Sequence, residues 1–205
     1  MKILTLVPAV ALIACTSVDR DSDLPPTGTF SIIAYDSASG QLGGAVQSRV
    51  FSVGNGVLWA EAGVGIAATQ AIVDVSYGPQ ALALLRQGKS AAEVVKTVWG
   101  RDPDPDSARW SKLGRQFAVV DAKGNVAAYT GPRATPWAGD RQGAHVTAQG
   151  NILAGPGVVD SMCGRRGTGD GRRQKTSDAS IASAGRGWIH PNAVCLRRGR
   201  RARGW

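Results

Sequence analysis

The chain is poor in the residues that most often advertise chemistry. Its 205 residues include three cysteines and two histidines. Cys15, Cys163 and Cys195 make no pair at finger spacing, and His145 and His190 are each isolated, so neither a zinc site nor a structural disulfide is expected. No apolar run reaches the ~18–20 residues of a spanning helix, which excludes a polytopic membrane protein. No Gly-x-Gly-x-x-Gly opens a helix after a strand, and there is no P-loop and no Gly-x-Ser-x-Gly elbow. Nucleotide-dependent chemistry is therefore not expected, and neither a cofactor nor a metal is called for.

What is present is an ordinary single domain's worth of core: 43% of residues are apolar and 19% charged. Glycine, at 27 residues, is about twice its usual share, which points to tight turns and strands rather than long helices. The formal charge of +9 is not spread along the chain. All of it belongs to residues 164–205, where Arg165, Arg166, Arg200, Arg201 and their neighbours stand against only Asp170 and Asp178; residues 1–163 are balanced. That Arg/Gly segment has neither helical nor strand periodicity and reads as disordered. Three readings of it stand. An Arg/Gly stretch can bind phosphate backbones, yet only Trp188 and Trp205 offer stacking faces and no nucleic-acid module surrounds them. A solvated or membrane-surface tail is the second. The third is translation out of frame, because Arg, Gly, Ala and Ser are what a GC-rich gene yields after a base is lost or gained. We favour the third, and nucleic acid is not the expected partner.

The first fifteen residues have the shape of an export signal. Met1-Lys2 precedes the apolar stretch Ile3 to Ala14, and the chain turns polar immediately after Cys15. Leu12-Ile13-Ala14-Cys15 resembles a bacterial lipobox, which implies cleavage before Cys15 and lipidation of its thiol. The alternative is a buried N-terminal strand with an incidental cysteine. With the lipobox, the expected location is the cell envelope, reached through the lipid anchor only. Residues 16–28, with Asp19, Asp21, Asp23 and Pro25-Pro26, would form a polar, stiff tether.

Patterning along the body predicts strands first. Thr29 to Ala34 and Gln41 to Ser48 flank the turn Asp36 to Gly40 as a hairpin. Gly56 to Ala60 and Gly63 to Thr69 predict a second pair, its small residues letting another layer approach one face of the sheet. Leu82, Leu84 and Leu85 mark a helix over Pro79 to Gln87, ended by Gly88. Ser90-Ala91-Ala92-Glu93 is a capping box, so a second helix should start at Ala91 and stop by Gly100. Asp102 to Asp106 is a loop. Arg115 to Asp121 and Asn125 to Thr130 form another hairpin, Val146 to Ala154 a further strand, and a short helix follows Pro156. Strand pairs, then helices, then a strand pair is an α+β order.

Several blocks recur in one order: Thr29 to Ala34, Gly43 to Arg49, Trp59 to Gly65, Ala68 to Ala71, Tyr77 to Pro79, Val119 to Asp121, Thr130-Gly131, Trp137 to Gly139 and Gln149 to Gly155. Over residues 29–162 they resemble the domain-of-unknown-function 1028 family of bacterial proteins. The resemblance implies the N-terminal-nucleophile hydrolase superfamily and its four-layer αββα sandwich. It also implies a helix and returning strands after Met162, which this sequence does not show, so the sandwich is expected to be incomplete at its C-terminus. The expected organisation is a signal over 1–15, a tether over 16–28, a hydrolase-like domain over 29–162 and the Arg/Gly tail over 163–205.

In that superfamily the side chain of the first mature residue is the nucleophile and its own α-amine the base. The candidate is Thr29, which qualifies only once the bond after Gly28 is cut, since an amide nitrogen has no basicity. The rival reading makes Thr29 the first residue of a strand and nothing more. Arg49 could place a cation beside the amine, or be an ordinary surface charge. Glu61 could orient the amine, or be a turn residue. Thr69 and Gln70 could supply donors to an oxyanion. Trp137 and Asn151 are candidates for the pocket wall. The expected activity is hydrolysis of an amide bond in a small molecule or peptide; the alternative is a non-catalytic envelope-associated binding domain on the same fold.

Overall fold

In the computed structural model of the chain, the residues described are 28–164 together with the backbone of 193–196. Cys15, the tether up to residue 27 and the rest of the Arg/Gly segment lie outside them, with the expectations attached to them.

The predicted hairpins form. Thr29–Asp36 (β1) pairs antiparallel with Gln41–Gln47 (β2), and the Asp36 carboxylate closes the turn by accepting from the Ala38 amide. A four-residue helix, Gly54–Val57 (α1), leads into Leu58–Glu61 (β3), which pairs with Gly65–Ala71 (β4). Tyr77–Arg86 (α2) and Ala91–Arg101 (α3) are the two predicted helices, and the capping box is closed in both directions between Ser90 and Glu93. A short helix, Ser107–Trp110 (α4), and a 3₁₀ turn, Lys112–Gly114, precede Arg115–Asp121 (β5) and Val126–Thr130 (β6). Gly139–Gly143 (β7), Val146–Asn151 (β8) and Gly157–Cys163 (α5) complete the body. Within the segment expected to lack periodic structure, Ala193–Leu196 (β9) adds to the free edge of β2. It is the one run of four apolar residues in that segment, and an unpaired sheet edge lies ready to receive it.

The result is a mixed α+β fold with two antiparallel sheets, ordered β7-β8-β1-β2-β9 and β3-β4-β5-β6. Strand alternation explains how they meet. Ile66, Ala68, Ala118 and Val120 point from the second sheet into a shared core with Ile33 and Leu42 of the first. Ala67, Phe117 and Val119 point the other way, into a second core with Tyr77, Leu85 and Val94 of α2 and α3. Burying each such Ile, Leu or Phe removes about 1.5–3 kcal/mol worth of apolar surface from water, so these two layers carry the fold. The second sheet is thus covered on both faces, not on one as its small residues suggested; β5 is buried at every position. Close approach is bought by glycine where α2 crosses Trp59: a Cβ at Gly78 would fall 2.1 Å from that indole ring. Helix α5 rests on β7 and β8, with Val159 buried and Asp160 paired to Arg141.

Candidate functional site

Thr29 opens β1, and its position in the sheet assembles a corner around it. Antiparallel register places Asn151 of β8 directly across from it. On the other side, Phe30 pairs with Gln47, so the chain leaving β2 brings Ser48 level with Thr29. The two hydroxyl oxygens lie 2.8 Å apart, and the Val50 amide donates to Ser48 Oγ at 3.1 Å. The Val50 contact occupies a lone pair of Ser48 and fixes its rotamer, which holds the Thr29 hydroxyl in turn. Ahead of Thr29, Gly28 is pressed against the chain leaving β8. A Cβ there would stand 2.1 Å from the Asn151 carbonyl oxygen and 2.5 Å from that of Ile152. Only glycine fits in that position.

Beneath the corner lies a cluster of buried amides between the two sheets. Gln70 of β4 donates to the Thr29 carbonyl at 3.4 Å and to Gln116 Oε1 of β5 at 3.1 Å, and accepts from Ser31 Oγ at 2.7 Å. Asn151 Nδ2 donates to the same Gln116 Oε1 at 2.9 Å. Gln149 donates to the Ala68 carbonyl, while its own Oε1 is fully buried with no partner. Such a cluster is costly unless satisfied, so it fixes how the sheets dock at this end.

The same corner collects backbone strain and exposed apolar side chains. Ala71, where β4 ends, has φ +67°, and Ile152, just after β8, has φ +55°. For a β-branched residue that is a genuine outlier, and such outliers concentrate at functional sites. Val50 and Phe51 follow Ser48, and Val73 and Val75 follow β4; all four are exposed, Phe51 almost completely.

The structure brings together three of the residues singled out in the sequence: Thr29, Gln70 and Asn151. Arg49 stands in an exposed bend one residue past Ser48 and makes no ion pair among the described residues. Glu61 is not brought to Thr29. It pairs with Gly65, five residues from Gln70 and so about 16 Å away along β4. Arg86 of α2 holds it there through its guanidinium, and that contact lowers the Glu61 carboxyl below its ordinary value. Thr69 faces the helical layer rather than the corner; its hydroxyl is buried without a hydrogen-bond partner. Trp137 packs over Gly139 in the approach to β7. Ser48, Gln116, Gln149 and Ser31 were not singled out. The available signal was polar residues interrupting apolar strands, as Gln116 does in Arg-Gln-Phe-Ala-Val-Val. Among the described residues no group of His, Cys, Asp and Glu gathers as metal ligands, and Cys163 is a free thiol.

A sequence profile described as a family of unknown function, DUF1028, matches residues 29–173, starting at Thr29 itself. Among solved structures, the crystal structure of protein SPO2555 from Silicibacter pomeroyi, of the same family, superposes with a TM-score of 0.60 at 32% identity. The alignment covers 66% of this chain and 57% of that one, so the likeness spans less than two thirds of the relative's length. No curated protein matches.

Proposed function

The chain belongs to the DUF1028 family, and from that membership and the geometry of the Thr29 corner we propose that it is an amide-bond hydrolase of N-terminal-nucleophile type, with Thr29 as nucleophile. The observation that carries the reading is the Thr29 hydroxyl held at 2.8 Å from Ser48 at the first position of β1. Two sheets packed face to face, α2 and α3 outside one and α5 outside the other, agree with the four-layer sandwich the resemblance implies. The family match also begins at the residue that processing would expose.

Two reactions follow. In processing, Thr29 Oγ adds to the Gly28 carbonyl carbon, and the C–N bond breaks as the nitrogen takes up the hydroxyl proton. The ester so formed is hydrolysed by water, leaving a carboxylate on Gly28 and a free amine on Thr29. In turnover that amine, with an ordinary pKa of about 7.7–8, takes the Oγ proton as the oxygen attacks a substrate amide. The proton then passes to the departing amine, and water hydrolyses the acyl ester. The exposed Val50, Phe51, Val73 and Val75 suit a small peptide or related amide with an apolar group beside the scissile bond. In this reading the lipobox ending at Cys15 anchors the precursor at the cell envelope.

An exposed Arg49 and a remote Glu61 favour the second reading, a non-catalytic binding domain on the same fold. Intact mass and N-terminal sequencing of the purified full chain decide between them. The hydrolase reading expects Thr29 at the mature N-terminus and an uncut Thr29→Ala variant. A wild-type chain whose Gly28–Thr29 bond stays whole leaves only the binding domain.

A further inference from the structure

We propose that Gln116 is the positioning residue of the Thr29 corner, orienting Gln70 and Asn151 from a fully buried site between the sheets; this rests on the nucleophile reading above. Its amide can stand only one way round. Nε2 faces the carbonyl oxygens of Gly150 at 2.8 Å and Gly139 at 3.3 Å, and the Thr130 hydroxyl at 3.2 Å. Carbonyls accept and never donate, so the NH₂ end must lie there and Oε1 must face the other way. Thr130 is held in turn, its hydroxyl donating to Asp140 Oδ1 at 2.8 Å.

That single orientation sets two others. Oε1 accepts from Gln70 Nε2 and Asn151 Nδ2, so both neighbours must turn their NH₂ ends toward it. Gln70 then reaches the Thr29 carbonyl with the same nitrogen and keeps its Oε1 for Ser31. Asn151, directly across from Thr29, turns its amide nitrogen to Gln116, so its Oδ1 is the end of the side chain that would accept from a liberated Thr29 amine. Gln116 touches neither the nucleophile nor a substrate; it acts through these two side chains.

The test uses the full chain with Gln116→Leu, Gln116→Glu and Gln70→Met. Scission at Gly28–Thr29 is followed by intact mass, and exchange of the Gln70 and Asn151 side-chain amide protons by NMR. In a folded Gln116→Leu chain, scission should slow by about tenfold or more, since small misplacements of reacting groups carry costs of this size. The two amides should also exchange faster. The Gln116→Glu carboxylate has no hydrogen for Gly150 or Gly139, whereas the protonated acid has one, so its scission rate relative to wild type at the same pH should recover on acidification. That pH profile is a readout that lost packing alone would not produce. Folded Gln116 variants that cut at the wild-type rate overturn the proposal. Should Gln116→Leu not fold, Gln70→Met, which severs the Thr29 carbonyl link, must slow scission likewise, and an unchanged rate overturns the proposal too. A wild-type chain that is never cut removes the nucleophile reading first, and this inference with it.

Discussion

A methyl group at position 28 would collide with two backbone carbonyls, those of Asn151 and Ile152, and neither can swing aside as a side chain could. Gly28→Ala should therefore cost about 1–3 kcal/mol, the range of overpacked sites. It should also move the Gly28–Thr29 bond, the one the proposed processing breaks, relative to Thr29 Oγ. The expected outcome is a lowered urea midpoint together with slowed or absent scission, read by intact mass; an unchanged midpoint and rate would mean that the chain before Thr29 does not pack where it is placed. A Gly28-Thr29 dipeptide carries little information by itself. Its meaning comes from the β8 exit, where Ile152 takes a left-handed conformation and turns its carbonyl toward Gly28. No local pattern announces that contact, because it joins residues far apart in the chain. Ser48 was hidden for the same reason: a serine after a strand is ordinary until register sets it beside Thr29. Gln70 and Asn151 were legible because polar side chains at the ends of apolar strands stand out. Glu61 was equally conspicuous, but helix α2 claims it through Arg86.

At the scale of elements, α3 is where local chemistry and structure agree most closely. Ser90 Oγ accepts from the Glu93 amide, and the Glu93 carboxylate in return accepts from the Ser90 amide at 2.9 Å, with Lys89 beside it. The Ser90 amide, its hydroxyl and Lys89 together hold the Glu93 carboxyl down at about 2. A depressed acid stabilises the folded state fully above its unfolded value of 4.5 and loses that contribution as pH falls toward 2. Glu93→Gln should accordingly flatten the fall in thermal midpoint between pH 4.5 and 2, and Ser90→Ala should lower the midpoint at neutral pH through the loss of the ~1 kcal/mol of stability typical of a cap. A Glu93→Gln chain with the wild-type acid profile would show the box to be idle. Caps, turns and hairpins were legible because their causes are local. Strand β7, Gly-Asp-Arg-Gln-Gly, was not: it has no apolar alternation and is extended only because β8 presents a partner edge along its whole length. Strand β5 misled in the opposite sense. Buried on both faces, it shows no period of two, so the polar interruption at Gln116 did not tell which way that side chain faces.

For the molecule as a whole, the helical layer is fastened to the second sheet by a buried ionic knot that the sequence hid inside an Asp/Pro loop. The Asp102 carboxylate, at the end of α3, accepts from the Tyr77 hydroxyl of α2 and from Arg115 Nε of β5, each at 2.6 Å. Arg115 also donates to the Ile72 carbonyl at 2.9 Å, next to the strained Ala71 at the Thr29 end of β4. Burial opposes ionisation of Asp102, but Tyr77, the Asp104 amide and Arg115 outweigh it and hold the carboxyl below its usual range. Burial and the neighbouring carboxylate push the Tyr77 phenol far up, so it remains a donor at any working pH. Asp102 and Arg115 side chains are 0% and 6% exposed, so removing Arg115 strands the Asp102 charge away from water, while Arg115 without Asp102 keeps only the longer contact to Asp74 at 3.7 Å. Arg115→Met should cost about 3–5 kcal/mol by urea unfolding, whereas Arg115→Met with Asp102→Asn should cost clearly less than the two single changes added together. The sign for pH follows from the depressed acid: the knot is complete above 3.8 and loosens as pH falls below it, so wild type should lose its advantage over the double variant only in that acid range. Additive single costs would show the charges to be independently solvated. A coupled cost accompanied by slower scission at Gly28–Thr29 would show that the knot, through Ile72, holds the Thr29 corner as well as the helices.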